Sequence, residues 1–225
     1  MGLDVSVGDE YIGKVGSYGW CGAFLVEIGD KLEGGDSGSR YPFIQTNLPL
    51  SGEHTPEEAG RLLKELIEIK RGLKRTSYPT LMALKNGRLI RQRESYGHDT
   101  FMSGWSVSLG VCPDGVFFEL YQIEGEKKLE LPTDGIRQRY TGDKPYIGYF
   151  TSIKNAGRHY VGTYQDGRTR IIEYELERVL RWFSNRADEY VVGQVNSAKV
   201  FGHVTRVLQK ACRTSIKTKK PIIYC

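Results

Sequence analysis

An α+β fold is predicted, with an antiparallel sheet of central hairpins flanked by N- and C-terminal helices. Apolar residues recur at helical spacing toward both ends of the chain, switch to a period of two in the middle, and are punctuated there by Pro, Asp and Gly. Trp20, Cys21, Phe24, Leu25, Ile28 and Leu32 keep helical spacing and predict a first helix after Gly16-Ser17-Tyr18-Gly19, with Ser17 as its cap. Gly34 to Ser39 is a loop by composition, ending at Tyr41-Pro42, where the proline favours an extended Tyr41. Thr55-Pro56-Glu57-Glu58 is a capping box with proline at the first helical position. The helix it starts carries one apolar stripe, Ala59, Leu62, Leu63, Leu66, Ile69 and Leu73. Its last turn holds Lys70, Arg71, Lys74 and Arg75, where the macrodipole favours cations.

In the centre, Trp105, Val107, Leu109 and Val111 alternate with small residues, and Pro113-Asp114-Gly115 turns the chain into Val116 to Ile123, a hairpin. A second hairpin is expected from Tyr146 through Tyr164, turning at Asp166-Gly167 and leaving along Arg168 to Ile172. Helical spacing returns with Leu176, Val179, Leu180 and Phe183, and again from Val200 to Ala211; Pro221 to Tyr224 reads as a short strand. Residues 1–225 are expected to form a single composite domain with 101–172 as a hairpin-rich insertion. Glycine supports many tight turns, at 27 of 225 residues against a usual share of about 7%.

With 32 Lys plus Arg against 27 Asp plus Glu, a net charge of +5, 39% hydrophobic and 26% charged residues, the composition excludes collagen, a disordered tail and a coiled coil. The uncharged stretches are too short and too rich in Gly and Ser for the roughly 20 apolar residues of a membrane span. Met1-Gly2-Leu3-Asp4 has no secretory character, and Cys21, Cys112, Cys212 and Cys225 form no C-x-x-C pair. A cytoplasmic protein with reduced thiols and no membrane partner is expected.

No catalytic motif of high specificity is present. His98 neighbours Asp99, a pair that could serve a general base, and His159 lies in a stretch expected to be a strand. His54 is expected in a loop before the helix cap and His203 beside the apolar stripe of the last helix. These histidines make no metal set, and no cofactor is indicated. The Gly-rich segments at Gly13 and Gly34 lack phosphate-loop spacing. Ser17 and Tyr18, at a helix start, could still offer backbone N–H groups to an anion.

The cations cluster better. Lys70, Arg71, Lys74, Arg75, Lys85, Arg88, Arg91 and Arg93 follow one another with no acid between them, and no carboxylate side chain follows Glu189. The compensating acids Glu119, Glu124, Glu126, Glu130 and Asp134 suggest a polarised charge distribution. There are 14 Tyr and 8 Phe, and Tyr18, Trp20, Tyr41 and Tyr160 are among the aromatic residues suited to a recognition surface or pocket.

Gly16 to Trp20, Tyr41-Pro42, Thr55 to Ala59 and Leu62 to Leu66 make the chain resemble small bacterial immunity proteins that neutralise polymorphic toxins, and Phe201 to Ile222 is compatible with that pattern. The resemblance implies an inhibitor that binds a toxin or defence effector and does no chemistry; a phage-encoded counter-defence protein would share these features. Ser17, Tyr18, Trp20, Tyr41, Arg91, Arg93, His98, Arg158, His159 and Tyr160 are the candidate binding residues. Two alternatives stay open. One is a nucleotide or other anionic small ligand held by groups such as Arg91, Arg158 and His159, or less readily a nucleic acid on the basic clusters. The other is an enzyme using His98 or His159 with a carboxylate.

Overall fold

Leu3, Val5 and Val7 alternate with Asp4 and Ser6, a period of two that puts three apolar side chains on one face of an extended segment. Gly8, with φ +55°, and Asp9 then connect it to a partner. The result is an antiparallel hairpin of β1 (Gly2–Val7) and β2 (Glu10–Ser17), lying before the helix on which the sequence reading opens. This computed structural model describes residues 2–47, 52–93, 96–97, 105–122 and 146–225. Two compact units divide the chain: Met1–Tyr78 with Val195–Cys225, and Pro79–Gln194.

In the first unit, α1 (Tyr18–Leu32) begins at Ser17, whose Oγ accepts the Trp20 N–H at 3.2 Å. Next come α2 (Pro42–Asn47), β3 (Gly52–His54) and α3 (Pro56–Leu73). Helix α2 is additional to the sequence reading. Proline restricts the residue before it, yet also suits a first helical position because its missing N–H is not needed there. Glu65 of α3 accepts the Phe43 and Ile44 N–H groups at 3.2 and 3.0 Å, completing that helix start. The capping box of α3 is reciprocal: Thr55 Oγ1 accepts from Glu58 N at 3.3 Å, and Glu58 Oε2 accepts from Thr55 N at 2.8 Å.

Within the second unit, β4 (Ser77–Lys85), whose first two residues belong to the first unit, and β5 (Arg88–Arg93) form a hairpin. Its turn residues Asn86 and Gly87 have φ +49° and +72°, the pair of positive values that a two-residue turn matched to strand twist requires. There follow β6 (Tyr96–Gly97), β7 (Trp105–Cys112), β8 (Gly115–Gln122), β9 (Tyr146–Asn155), β10 (Tyr160–Tyr164), β11 (Thr169–Ile172), α4 (Tyr174–Phe183) and β12 (Glu189–Asn196). The sheet runs β5-β4-β12-β9-β8-β7-β6, with β10 pairing both β9 and β11. The expected hairpin at Pro113-Asp114-Gly115 is present, with Val111 opposite Val116 and Leu109 opposite Phe118. Where one hairpin was expected over 146–172 there are three strands, because the chain also turns between Asn155 and Tyr160. His159 therefore sits in that bend and not on a strand. Val107, Leu109, Phe118, Ile147, Phe150, Ile153, Leu176, Val179 and Leu180 make this unit's core.

The chain returns to the first unit with the last two residues of β12 and continues as α5 (Ser197–Val200), α6 (Gly202–Thr218) and β13 (Ile222–Tyr224). Strand β13 enters between β1 and β3, giving the order β2-β1-β13-β3. Leu62, Leu66, Ile69 and Leu73 of α3 and Val204, Leu208 and Ala211 of α6 are all fully buried in one core. Each such aliphatic side chain larger than alanine contributes about 1.5–3 kcal/mol. The α+β class and the antiparallel sheets are thus as expected.

His54 is a correction. Its side chain is 1% exposed in β3, not solvated in a loop. Nε2 lies 3.2 Å from the Phe43 carbonyl, which can only accept, so Nε2 carries the proton and Nδ1 accepts from the Tyr224 hydroxyl at 2.9 Å. That tautomer is neutral, and burial holds its pKa below the ordinary 6.5.

Gly115 shows how tightly the second sheet is built. A Cβ there would lie 2.5 Å from the Tyr149 carbonyl carbon, a backbone atom that cannot swing away. Gly115→Ala is therefore expected to cost about 1–3 kcal/mol in urea unfolding. Gly60→Ala, on α3 with open space at its Cβ, is expected to gain about 0.5–1 kcal/mol. For His54, the unfolded chain binds a proton below its ordinary pKa while the folded chain resists it. Its contribution is present in full above about pH 6.5 and falls as pH drops toward the folded value. Thermal melts from about pH 7 to 5 should show a decline that is smaller in His54→Phe.

Candidate functional site

Helix α4 turns Leu176, Val179, Leu180 and Phe183 inward at 0% exposure, leaving Tyr174, Arg178, Arg181 and Trp182 outside. Leu180 O accepts the Ser184 N–H at 2.9 Å and Ser184 O the Ala187 N–H at 3.3 Å, and groups from outside the helix add to them. The Tyr190 hydroxyl is shared between Leu180 O at 2.9 Å and Ser184 O at 2.8 Å, and Arg91 of β5 donates to Phe183 O. The Arg91 guanidinium also lies over the Phe183 ring, 5.1 Å from its centroid. A chain of rings continues inward, Phe183 to Tyr190 at 6.2 Å and Tyr190 to Tyr160 at 5.8 Å. Arg181 covers the Tyr160 ring at 5.6 Å and pairs with the buried Glu177 at 3.2 Å. Burial first, and the neighbouring Tyr160 second, push the Tyr190 hydroxyl pKa far up, keeping it a neutral donor.

Around this helix end the surface hollows into a concavity of about 950 Å³. Lys85, Arg91, Arg181 and Arg186 bring four cations to it, with Ser184 and Asn185 as neutral polar groups. Trp182 and Ile90, 51% and 44% exposed, supply its apolar surface. No carboxylate lines it among the described residues. The cations suit the negative end of the α4 dipole. Two are also held in place, Arg91 by a carbonyl and a ring and Arg181 by a carboxylate and a ring.

The ten candidate residues fall in different places. In the first unit, Ser17 caps α1, Tyr18 is its first residue, and Trp20 packs on the Phe201 ring at 5.1 Å. Tyr41 is 3% exposed. Its N–H, with those of Gly38 and Arg40, donates to the Glu33 carboxylate at 2.8 to 3.0 Å. Burial pulls the Glu33 pKa upward, but those three N–H groups and the Gln45 amide outweigh it and leave the carboxyl below its usual value. In the second unit, Arg91 lines the concavity and Tyr160, 2% exposed, lies beneath it in the ring chain. Arg93 is exposed on β5, Arg158 is exposed in the β9–β10 bend, and His159 is half-buried there. Arg158 and His159 do not line the concavity with Arg91. His98 and Asp99 lie outside the described residues, as do Glu124, Glu126, Glu130 and Asp134. His203 is exposed on α6, its Nε2 2.7 Å from the Lys14 carbonyl.

Trp182, Arg181 and Arg186 are not sequence candidates, because the apolar spacing of this segment points to its buried stripe. Its complement, the Tyr174, Arg178, Arg181 and Trp182 face, was the available signal. Among the described residues no group of three or more His, Cys, Asp and Glu could hold a metal ion, and no helix is long and apolar enough to cross a membrane.

A family model described as Immunity protein 70 matches residues 5–85. The chain is thus similar to a bacterial immunity family over a span that contains Gly16 to Trp20, Tyr41-Pro42 and the Thr55 capping box. No curated protein and no solved structure matches the chain.

Tyr190→Phe removes the one hydroxyl serving two carbonyls at the end of α4. Both carbonyls keep a backbone N–H, so the expected loss is about 0.5–1.5 kcal/mol, read as a lower thermal midpoint in a variant whose circular dichroism is otherwise unchanged.

Proposed function

We propose that this chain is an immunity protein, neutralising a protein toxin or defence effector by direct binding without chemistry of its own. The observation that carries the reading is the match to Immunity protein 70 over residues 5–85. That span runs from Val5 within β1 through β2, α1, α2, β3 and α3 of the first unit to the end of β4. The match ends soon after the chain enters the second unit at Pro79. On this reading α5, α6 and β13 complete the immunity core, and the second unit, with the hairpins of 101–172, is an insertion into it. Binding by a preformed surface suits such a role. A neutralising complex needs shape and charge complementarity, supplied by aromatic and arginine anchors on a rigid scaffold.

The test is capture of the partner followed by rescue. The chain is immobilised and exposed to lysate of its source cells at moderate salt with nuclease present. Each stoichiometric protein retained is then expressed in a test bacterium alone and together with this chain. The expected outcome is arrested growth with the captured protein alone and restored growth on co-expression. Retention of a nucleotide with no protein, or a captured protein whose toxicity co-expression leaves unchanged, overturns the reading.

A further inference from the structure

We infer that the concavity at the end of α4 is a docking surface for a protein partner presenting a carboxylate-rich segment with a large apolar side chain at its centre. The inference deepens the immunity reading and rests on it only for the partner's biological role.

Four cations, with no carboxylate among the described lining residues, set the sign of the partner. Trp182 and Ile90 set its apolar part. At 51% and 44% exposure they offer a half-open slot beside the charges. Trp and Arg are the residues that most often anchor protein interfaces. Arg91 lies over the Phe183 ring and donates to its carbonyl, while Arg181 is held by Glu177. Their geometry is therefore set before the partner arrives, which lowers the entropy lost on binding.

Nucleic acid also seeks cations and a stacking ring. Here the aliphatic Ile90, which lines the concavity with Trp182, gives a base or phosphate nothing, whereas an apolar side chain of a protein segment covers it. Strand β5 is moreover the end of its sheet order, with Arg88, Leu89, Ile90 and Arg93 exposed.

The experiment uses the full chain and a dye-labelled synthetic peptide of Asp and Glu with one central Phe, followed by fluorescence anisotropy at low salt. The same peptide with Lys at every acid, and a short oligothymidylate, are the comparators. Saturable binding of the acidic peptide alone is expected. Trp182→Ala weakens it about tenfold, and Lys85→Glu with Arg186→Glu weakens it more, while Lys210→Glu with Lys217→Glu on α6 leaves it unchanged. All these side chains are exposed, so the folds are expected to survive. The inference is overturned by no acidic-peptide binding, by equal weakening from both charge-reversed pairs, or by tighter, Trp182-dependent binding of the oligothymidylate. Peptide binding that persists when rescue fails removes the immunity role and keeps the docking surface. Rescue without peptide binding does the reverse.

Discussion

The first unit depends on one insertion of backbone, Ile222 to Tyr224 between β1 and β3. Without it neither neighbour has its sheet partner on that side, since β13 pairs Val5 with Tyr224 on one edge and His54 with Ile222 on the other. The same strand delivers the Tyr224 hydroxyl to His54, so a buried imidazole finds its donor only when residues far apart in the sequence have met. Helices α3 and α6 impose the same requirement on a larger scale, with Gln209 of α6 donating to the Leu66 carbonyl of α3 at 3.3 Å. Buried polar groups that lose such a partner keep their desolvation cost. The first unit therefore gains much of its stability from contacts between its two ends rather than from its N-terminal segment alone.

Much of this architecture is written in local signals. The Thr55 box, the Ser17 cap, the stripes of α1, α3, α4 and α6, and the Pro113-Asp114-Gly115 turn each depend on neighbours a few residues away, and all are present in the fold. Other signals were legible but overshadowed. Asn86-Gly87 between two runs is a strong hairpin signature, obscured by the run of charge from Lys70 to Arg93. Leu3, Val5 and Val7 before Gly8-Asp9 carry the same kind of message. What no local pattern contains is pairing across long separations: β13 between β1 and β3, or β12 between β4 and β9.

The site was legible in kind more than in place. Arginines and aromatic rings were the expected ingredients, and Arg91 does stand in the concavity. Its neighbours there come from the β4–β5 hairpin and from the end of α4, segments brought together only by the fold. Tyr160 and Tyr41 look like surface aromatics in sequence, but strand alternation turns Tyr160 inward and the Glu33-bound loop carries Tyr41 into the core. The geometry of α4 explains why cations gather where they do. A helix that ends under a tyrosine hydroxyl and an arginine has its carbonyls satisfied, yet the negative end of its dipole still favours the charges around it.

The sulfur chemistry of the chain is lopsided. Cys21, Cys112 and Cys212 are buried, and burial pushes the Cys21 and Cys212 thiols up to about 11 and about 12, while Cys225 is exposed. Thiolate, not thiol, is the reacting form. An alkylating dye at neutral pH therefore has a single ready target, and it adjoins the strand that closes the first sheet. The Cys225 N–H and carbonyl both bond to Asp4, at 3.0 and 2.8 Å. One label, with no engineered cysteine, thus places a reporter at the seam where the two ends of the first unit join.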